Sequence, residues 1–256
     1  MNPASEATPR VLILGGTGEA RELARLLTEK QIRVITSLAG RVADPRLPVG
    51  EVRSGGFGGA EGLREWLVSN GIDAVIDATH PFAARITSNA DAACRAAGTP
   101  LLRLLRPPWR PEPGDRWESV PDLDAAAALL GGADRRILLT TGRQDVARFA
   151  GVADAWFLIR VVDPPTGALP ARHEILRSRG PYHLAAEREL LAANDIDTLV
   201  TKNSGGEMTR PKLDAAHELG IRVIVVERPQ EPAATPTVDD PVAAAAWVSE
   251  LAQLGR

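Results

Sequence analysis

The sequence predicts an α/β fold of two lobes, each with a mostly parallel sheet, and a cleft between the lobes. Apolar runs of strand length alternate with helical runs along most of the 256 residues. A glycine-rich turn joins the first apolar run to the first helix. A proline-rich stretch interrupts this alternation near the middle of the chain. Because alternating strands and helices build parallel sheets covered by helices, both lobes are predicted to be Rossmann-like.

The first half of the chain contains five predicted strands and three predicted helices. The strands are Val11–Leu14, Arg33–Ser37, Val49–Arg53, Ala74–Asp77 and Pro100–Leu105. The helices are Glu19–Lys30, Glu61–Asn70 and Phe82–Ala97. Glycine follows the last two helices, as is typical of helix ends that need a positive φ. We assign residues 10–108 to a first domain and residues 1–9 to a disordered N-terminal lead-in.

The second half repeats the same order after the proline-rich stretch, Arg106–Arg116. Its four prolines cannot continue a helix or a central strand, so we interpret it as an interdomain linker. The strands that follow are Arg136–Thr140, Ala155–Val162, Leu199–Thr201 and Val223–Val226. The helices are Asp122–Leu130, Tyr182–Ala193, Arg210–Leu219 and Pro241–Leu254. Residues 109–256 are therefore assigned to a second α/β domain that completes the cleft.

The composition argues against several classes of protein. A chain of 256 residues with 44% hydrophobic residues can bury a full core. The net charge of −3 disfavours general nucleic-acid binding, which usually shows a basic excess. No apolar run approaches the roughly 20 residues that cross a bilayer, so no membrane partner is expected. The single cysteine, Cys94, is typical of a reducing cytoplasm and is predicted to be a buried structural thiol.

The glycine-rich turn is predicted to hold the phosphates of a nucleotide cofactor. Gly16, Thr17, Gly18 and Glu19 lie between the first strand and the first helix. Glycines let the backbone approach an anion, and the N–H groups at the start of a helix stabilise its charge. The third glycine of the dinucleotide pattern is replaced by Arg21, or by Ala20 if the pattern is shifted by one residue, so an ordinary strand–turn–helix is the alternative. No Gly-Lys-Ser/Thr follows, which argues against a P-loop.

The end of the second strand favours NADP over NAD. NAD-binding folds usually have an acidic residue there, about 20 residues past the glycines, that accepts a hydrogen bond from the ribose 2′-OH. This sequence has no carboxylate at that point but offers Ser37 and Arg41. A hydroxyl and a guanidinium would bind a 2′-phosphate, which a carboxylate would repel. The alternative for Arg41 is a solvated surface charge.

The residues after the strand Ala74–Asp77 are also predicted to face the cofactor. Ligands of open α/β sheets lie outside the carboxyl ends of the strands, where Thr79, His80, Pro81 and Phe82 follow. His80 could instead cap a helix or be a satisfied structural histidine. The four histidines show no zinc-binding spacing, so no metal is predicted.

Small, polar and cationic residues follow two strands of the second domain and form a plausible anion or cofactor clamp. They are Lys202, Asn203, Ser204 and Gly205 after one strand and Thr141, Gly142 and Arg143 after the other. The alternative is that these residues were selected for turn geometry alone. A cation beside glycines at a strand end is poorly explained by packing, so we favour a functional role for Lys202.

These motifs together resemble the precorrin-6A reductases of cobalamin biosynthesis. The segments that carry the resemblance are Gly15–Ala20, Asp77–Ala83, Leu139–Arg143 and Thr201–Gly206. The resemblance implies an enzyme that uses NADPH to reduce one double bond of the precorrin-6A macrocycle. The product it implies is the dihydro compound precorrin-6B. It also implies two Rossmann-type lobes with cofactor and substrate in the cleft.

A tetrapyrrole substrate of this kind carries many carboxylates, so local cations are expected to orient it. Five arginines lie in one segment, namely Arg85, Arg95, Arg103, Arg106 and Arg110. The substrate-binding residues that we predict are Arg85, Thr141, Gly142, Arg143, Arg177 and Arg179. The alternative is that several of these arginines are solvated surface residues.

His80 and Lys202 are the candidate catalytic residues. A conjugated macrocycle accepts a hydride without a covalent nucleophile, after which a proton must reach the neighbouring atom. His80 and Lys202 could deliver that proton or support it electrostatically, and solvent is the alternative. Two rival functions remain open, a non-catalytic NADP-binding sensor and an NADP-dependent reductase of another polyanionic small molecule.

Overall fold

The computed structural model describes residues 8–40, 45–131 and 135–254 and divides the chain into two compact units. The first unit contains the chain up to Arg106 together with Pro229–Arg256, and the second is Pro107–Arg228. The predicted boundary after residue 108 lies within two residues of the observed one. The assignment of residues 109–256 to the second domain is wrong for the last segment, which returns to the first unit. The predicted lead-in, residues 1–9, lies mostly outside the described residues.

The strands and helices of the described residues are numbered in chain order. The strands are β1 (Arg10–Leu14), β2 (Arg33–Leu38), β3 (Glu51–Ser54), β4 (Ala74–Asp77), β5 (Leu101–Leu104), β6 (Trp117–Val120), β7 (Arg136–Leu139), β8 (Trp156–Val161), β9 (Arg172–Arg177), β10 (Thr198–Lys202), β11 (Arg222–Val226) and β12 (Thr237–Val238). The helices are α1 (Gly18–Glu29), α2 (Gly59–Ser69), α3 (Ala84–Ala97), α4 (Leu123–Ala128), α5 (Leu184–Ala193), α6 (Pro211–Glu218) and α7 (Pro241–Leu254). None of these helices has the length and apolar character that a membrane span requires.

Each unit contains one six-stranded sheet whose described strand pairs are all parallel. The order is β12-β5-β4-β1-β2-β3 in the first unit and β6-β11-β10-β7-β8-β9 in the second. The predicted α/β fold with two Rossmann-like lobes is therefore confirmed. Three strands were not predicted, namely β6, β9 and β12. In particular, β9 is a largely exposed edge strand with charged residues at both ends, and β12 is only two residues long.

The alternation of side chains along β1 builds two core layers in the first unit. Val11 and Ile13 point to one face of the sheet and pack with α1 and α7. Leu12 and Leu14 point to the other face and pack with residues of α2 and α3. Both faces of β1 are thus buried, which explains why its sequence is an unbroken apolar run instead of an alternating one.

The second unit buries a comparable core around its central strands. Leu138, Leu199 and Val223 pack together with Leu213 of α6 and neighbouring apolar residues. A buried ion pair adds to this packing, because Arg160 of β8 donates to the carboxylate of a glutamate in α5 at 2.6 Å. The sheet and its covering helices are therefore fixed by both apolar contact and a specific charge pair.

The return of α7 to the first unit predicts a difference between two valines of this helix. Val248 is 1% exposed and belongs to the core layer beneath α7, whereas Val242 is 67% exposed. We expect Val248→Ala to lower the free energy of unfolding by about 1–3 kcal/mol because it removes buried apolar atoms and leaves a cavity. Urea unfolding followed by circular dichroism measures the change. Val242→Ala is the matched control, expected to stay within about 0.5 kcal/mol, and equal losses in both variants would contradict the assignment.

Candidate functional site

The turn after β1 has the backbone geometry that close approach to a ligand requires. Gly16 has a φ of +114°, and a Cβ built on it meets no atom within 4 Å, so the turn is open on that side. Gly15 is constrained differently, since its Cβ would lie 2.8 Å from a methyl carbon of Thr36 on β2. Glycine at position 15 thus permits close packing of β1 against β2, and glycine at position 16 permits the positive φ.

Thr17 anchors the start of α1. Its side-chain oxygen accepts a hydrogen bond from the backbone N–H of Ala20 at 3.1 Å, which makes it the N-cap of the helix. The same hydroxyl donates to the carbonyl of Ala78 at 2.8 Å. The start of α1 is therefore fixed to the chain just after β4, and the two predicted loops of the first unit lie side by side.

A small open crevice with a cavity volume of about 10 Å³ lies between these two loops. Its lining residues are Thr17, Glu19, Ala78, Thr79, Pro81, Leu104, Leu105 and Arg106. Four of them were predicted as cofactor residues, and Arg106 adds an ion pair with Glu19 at 2.9 Å. A cavity of this size holds about one water molecule, so the crevice marks where the two loops meet and is not a formed ligand pocket.

A buried carboxylate organises the loop after β4. Asp77 is 1% exposed and accepts hydrogen bonds from the backbone N–H and the hydroxyl of Thr79, at 3.0 and 2.7 Å. It also accepts from the hydroxyl of Thr87 in α3 at 2.6 Å. These three hydrogen bonds fix the loop at its first residue and connect it to the following helix.

The cation that balances Asp77 is Arg103 of β5. Arg103 is also 1% exposed, and its guanidinium lies 3.2 Å from the Asp77 carboxylate and 3.0 Å from that of Glu231. It donates further to the backbone carbonyls of Asp77 and Thr79 at 2.9 and 3.2 Å. The sequence grouped Arg103 with arginines that could orient a polyanion, but its burial and these partners give it a structural role.

His80 and Phe82 follow in the same loop and are half-buried. The Nδ1 atom of His80 accepts a hydrogen bond from the backbone N–H of Phe82 at 3.2 Å. In a neutral ring this interaction assigns the proton to Nε2. The imidazole is therefore held in one orientation, with a defined donor nitrogen. Arg85, a predicted substrate residue, is exposed in the first turn of α3.

Ser37, at the end of β2, is paired with an arginine that the sequence analysis missed. Ser37 is buried, and its hydroxyl accepts a hydrogen bond at 2.7 Å from Arg53, which lies opposite it on β3. Arg41, the predicted partner of Ser37, lies outside the described residues. Arg53 is the last residue of a predicted strand. If that strand is assumed to pair in parallel with β2, Arg53 becomes a candidate neighbour of Ser37.

Charged and polar groups meet at the carboxyl edge of the second unit's sheet. Lys202, at the end of β10, donates to Asp145 at 2.8 Å. Arg143 lies 3.9 Å from Asp163 in the loop after β8. The hydroxyl of Thr141 is buried and has no hydrogen-bond partner within the described ranges. Lys202 and Arg143 thus each face an acid, and the unsatisfied hydroxyl of Thr141 lies two residues before Arg143.

Other predicted residues of the second unit have different surroundings. Gly142 has a φ of +95°, which explains glycine in that turn. The exposed Arg177 ends β9, and Arg179 is exposed just after it. Ser204 carries a backbone carbonyl that accepts a hydrogen bond from Arg228 at 3.1 Å. These residues belong to the second unit, whereas the glycine-rich turn belongs to the first.

Asn203 and Gly205 contact the proline-rich stretch of their own unit. The Asn203 side chain accepts from the backbone N–H of Trp109 at 2.8 Å and donates to its carbonyl at 3.1 Å. Gly205 has a φ of +68°, and a Cβ there would collide with the carbonyl of Pro107. The amide of Asn203 is therefore occupied by the backbone, so a role in ligand binding would fall to its neighbours.

Cys94 has the environment of a structural thiol. It is 2% exposed, and burial raises its pKa to about 12, with Asp91 and Asp77 adding to the shift. The thiolate is the nucleophilic form, so this side chain is inert near neutral pH.

Among the described residues, no group of three or more His, Cys, Asp or Glu side chains is arranged to hold a metal ion.

Two parallel α/β units, one with a glycine turn and a capped helix at the end of its first central strand, define a protein of the Rossmann type. Residues 10–249 match the family model described as Precorrin-6x reductase CbiJ/CobK. The chain belongs to this family and is therefore an oxidoreductase of cobalamin biosynthesis.

Individual relatives agree with this membership. A precorrin-6A reductase of Rhodococcus erythropolis is 54% identical over 94% of this chain and 98% of its own length. The solved structure titled CobK precorrin-6A reductase is 40% identical, with a TM-score of 0.90 over 95% of this chain and 97% of that one. A cobalt-precorrin-6A reductase of Salmonella typhimurium is 32% identical over 86% of this chain and 87% of its own.

The buried Asp77–Arg103 pair predicts a large loss of stability when one partner is removed. Arg103→Met should lower the free energy of unfolding by about 3–5 kcal/mol, because the Asp77 carboxylate would stay buried without its cation. Arg95→Met is the control, since Arg95 is 68% exposed in its pair with Asp91 and should change stability by no more than about 1 kcal/mol. Chemical denaturation of both variants measures the difference. Similar losses in the free energy of unfolding for the two variants would show that the buried pair contributes no more to stability than the exposed pair.

Proposed function

We propose that this chain uses NADPH to reduce one double bond of precorrin-6A and gives precorrin-6B. The substrate is inferred from the relatives named precorrin-6A reductase, which the chain resembles over nearly its whole length. The cofactor is inferred from the first unit. The single observation that carries this part is the end of β2, which offers the Ser37 hydroxyl and a neighbouring guanidinium where NAD-binding folds have an acid.

The residues of the first unit fit a dinucleotide phosphate group. Gly16 leaves its side of the turn open, and Gly18 begins α1, whose free backbone N–H groups favour an anion. Glu19 brings a negative charge to this helix start, but its ion pair with Arg106 offsets the repulsion of a phosphate. We propose that Gly16, Thr17, Gly18 and Glu19 contact the phosphates or the ribose. Thr79, Pro81 and Phe82 would contact the cofactor from the neighbouring loop.

The second unit is proposed to contribute groups that bind substrate carboxylates. Arg143 and Lys202 lie at the carboxyl edge of its sheet, and each has an acidic partner that a substrate carboxylate would replace. Thr141, which follows β7 at the same edge, offers a buried hydroxyl. We assign Arg85, Gly142, Arg177 and Arg179 to the same substrate and Ser204 and Gly205 to the cofactor, as the sequence suggests. Lys202 would then act mainly by its charge.

The metal-free macrocycle is the favoured substrate. Relatives named precorrin-6A reductase are 44–54% identical to this chain, whereas those named cobalt-precorrin-6A reductase are 28–32% identical. The difference supports a substrate without cobalt.

The single buried cysteine supports a cytoplasmic location, which stays a prediction.

The reaction needs orientation of the two reactants and a source of one proton. When bound, NADPH supplies the hydride, and the conjugated macrocycle accepts it. Holding the two reactants in contact can lower the barrier by roughly 7–11 kcal/mol in favourable cases. His80 would support the transfer of a proton to the atom next to the hydride acceptor, because its Nδ1 accepts from the backbone N–H of Phe82 and Nε2 of the neutral ring therefore offers an N–H to that atom or to a water beside it. Delivery of the proton by His80 itself requires the imidazolium form, since a neutral imidazole is a very weak acid.

Single-turnover mixing of the protein with precorrin-6A and NADPH deuterated at both C4 positions tests the proposed reaction. We expect the reduced cofactor's absorbance to fall and the product to gain one deuterium and one proton, because the hydride comes from the cofactor and the proton does not. Cobalt-precorrin-6A in parallel should react more slowly. Tight NADPH binding without oxidation by either macrocycle would overturn the proposal and favour the sensor.

Replacing His80 separates a protein proton donor from solvent. His80→Gln should lower kcat by about 10²–10⁴-fold if His80 delivers the proton, and the dissociation constant of NADPH should stay unchanged. Stopped-flow kinetics and fluorescence titration give the two quantities. His183→Gln is the control because His183 is exposed and makes no capping hydrogen bond at α5. An unchanged kcat in His80→Gln would assign the proton to solvent.

A further inference from the structure

We propose that Arg53 is the residue by which this chain distinguishes NADP(H) from NAD(H), a role that rests on the proposed use of NADPH. Arg53 lies on β3, directly opposite Ser37 in the parallel register with β2. The carboxyl end of β2 is where an acidic residue would bind the ribose 2′-OH in an NAD-binding fold. A guanidinium at this point would therefore lie beside the 2′-phosphate of a bound NADP(H).

The hydrogen bonds of Arg53 orient its guanidinium. Nη1 donates to the Ser37 hydroxyl at 2.7 Å and to the Gly55 carbonyl at 3.1 Å, and Nη2 donates to the Gly56 carbonyl at 3.1 Å. Arginine has five N–H donors, and these bonds use three of them. Within the described residues, the Nε–H and one Nη2–H are left for a ligand. Arginine binds phosphate through paired donors of this kind.

Among the described residues, no carboxylate balances the charge of Arg53. Within the described ranges its acceptors are a hydroxyl and two carbonyls, all neutral, and no carboxylate forms an ion pair with it. Arg64 of α2, by contrast, pairs with Glu61 at 2.5 Å. Burial lowers the pKa of Arg53 somewhat, although arginine stays charged at neutral pH. A partly buried cation with neutral partners is suited to an anionic ligand.

Aromatic stacking holds the same guanidinium in place. Its central carbon lies 3.8 Å from the centre of the Phe57 ring and 5.5 Å from that of Trp66. The two rings pack edge to face with their centres 5.4 Å apart. A side chain already fixed by stacking and hydrogen bonds loses little rotamer freedom when it binds. Arg53 is thus preorganised, which lysine at this position would not be.

Calorimetric titration with cofactors and cofactor fragments tests the proposal independently of turnover. The probes are NADP⁺ against NAD⁺ and 2′,5′-ADP against 5′-AMP, so that each pair differs in the 2′-phosphate. Arg53→Gln should weaken NADP⁺ and 2′,5′-ADP by about 10- to 100-fold and leave NAD⁺ and 5′-AMP within about twofold. Arg53→Lys keeps the charge but loses the paired donors, so it should give an intermediate loss. Arg64→Gln is the matched control and should change none of these affinities.

The outcomes of this titration distinguish a failure of the proposed role of Arg53 from a failure of the NADPH proposal. If the unsubstituted protein binds NADP⁺ no better than NAD⁺, the NADPH proposal is wrong and the role of Arg53 is rejected with it. If the unsubstituted protein prefers NADP⁺ and both Arg53 variants keep that preference, only the role of Arg53 is rejected. Equal weakening of NADP⁺ and NAD⁺ in a folded Arg53→Lys variant would show that Arg53 supports the strand end without reading the 2′-phosphate.

Discussion

The first unit depends on a buried charge pair, Asp77 with Arg103. Two charges that are each 1% exposed lose much of their hydration, and this cost is tolerated only when further hydrogen bonds satisfy them. Asp77 accepts three such bonds from threonines, and Arg103 binds two backbone carbonyls and Glu231. The partners come from β4, α3, β5 and the segment after Pro229. One interaction therefore holds together the sheet, the loop that carries His80 and the returning end of the chain.

This dependence explains which parts of the fold could be predicted. Strands such as β4 are continuous apolar runs, so their bounds follow from the sequence alone, and the observed Ala74–Asp77 matches the prediction. The second-domain boundary failed because Glu231, β12 and α7 join the first unit by non-local contacts. A two-residue strand such as Thr237–Val238 has no periodicity that could reveal its partner. The edge strand β9 was missed because its exposed, largely charged sequence lacks the apolar run or alternation that predicts a strand.

The residues of the candidate site likewise divide into those that the local sequence predicts and those that only the tertiary structure reveals. Thr17 and Thr79 were predicted because each follows a strand in the sequence, and strand ends carry ligands in this fold class. Arg53 could be recognised only from the register of β3 on β2, which no local pattern specifies. Arg103 was misjudged because a sequence does not distinguish a buried arginine from a solvated one. The role of Asn203 likewise needed its contact with the Trp109 backbone, which is 94 residues away in the chain.

The distribution of cations follows from the charge of the ligands that the chain is proposed to bind. A protein of net charge −3 must concentrate positive charge locally to hold polyanions. Lys202 and Arg143 have acidic partners, so an incoming carboxylate must replace an existing ion pair, and the net gain per contact is small. Such sites suit a substrate that makes many contacts and must leave after reduction. Arg53 is held by neutral acceptors and keeps its full charge for one phosphate. That arrangement gives strong discrimination from a single contact, which is what choosing between two cofactors that differ by one phosphate requires.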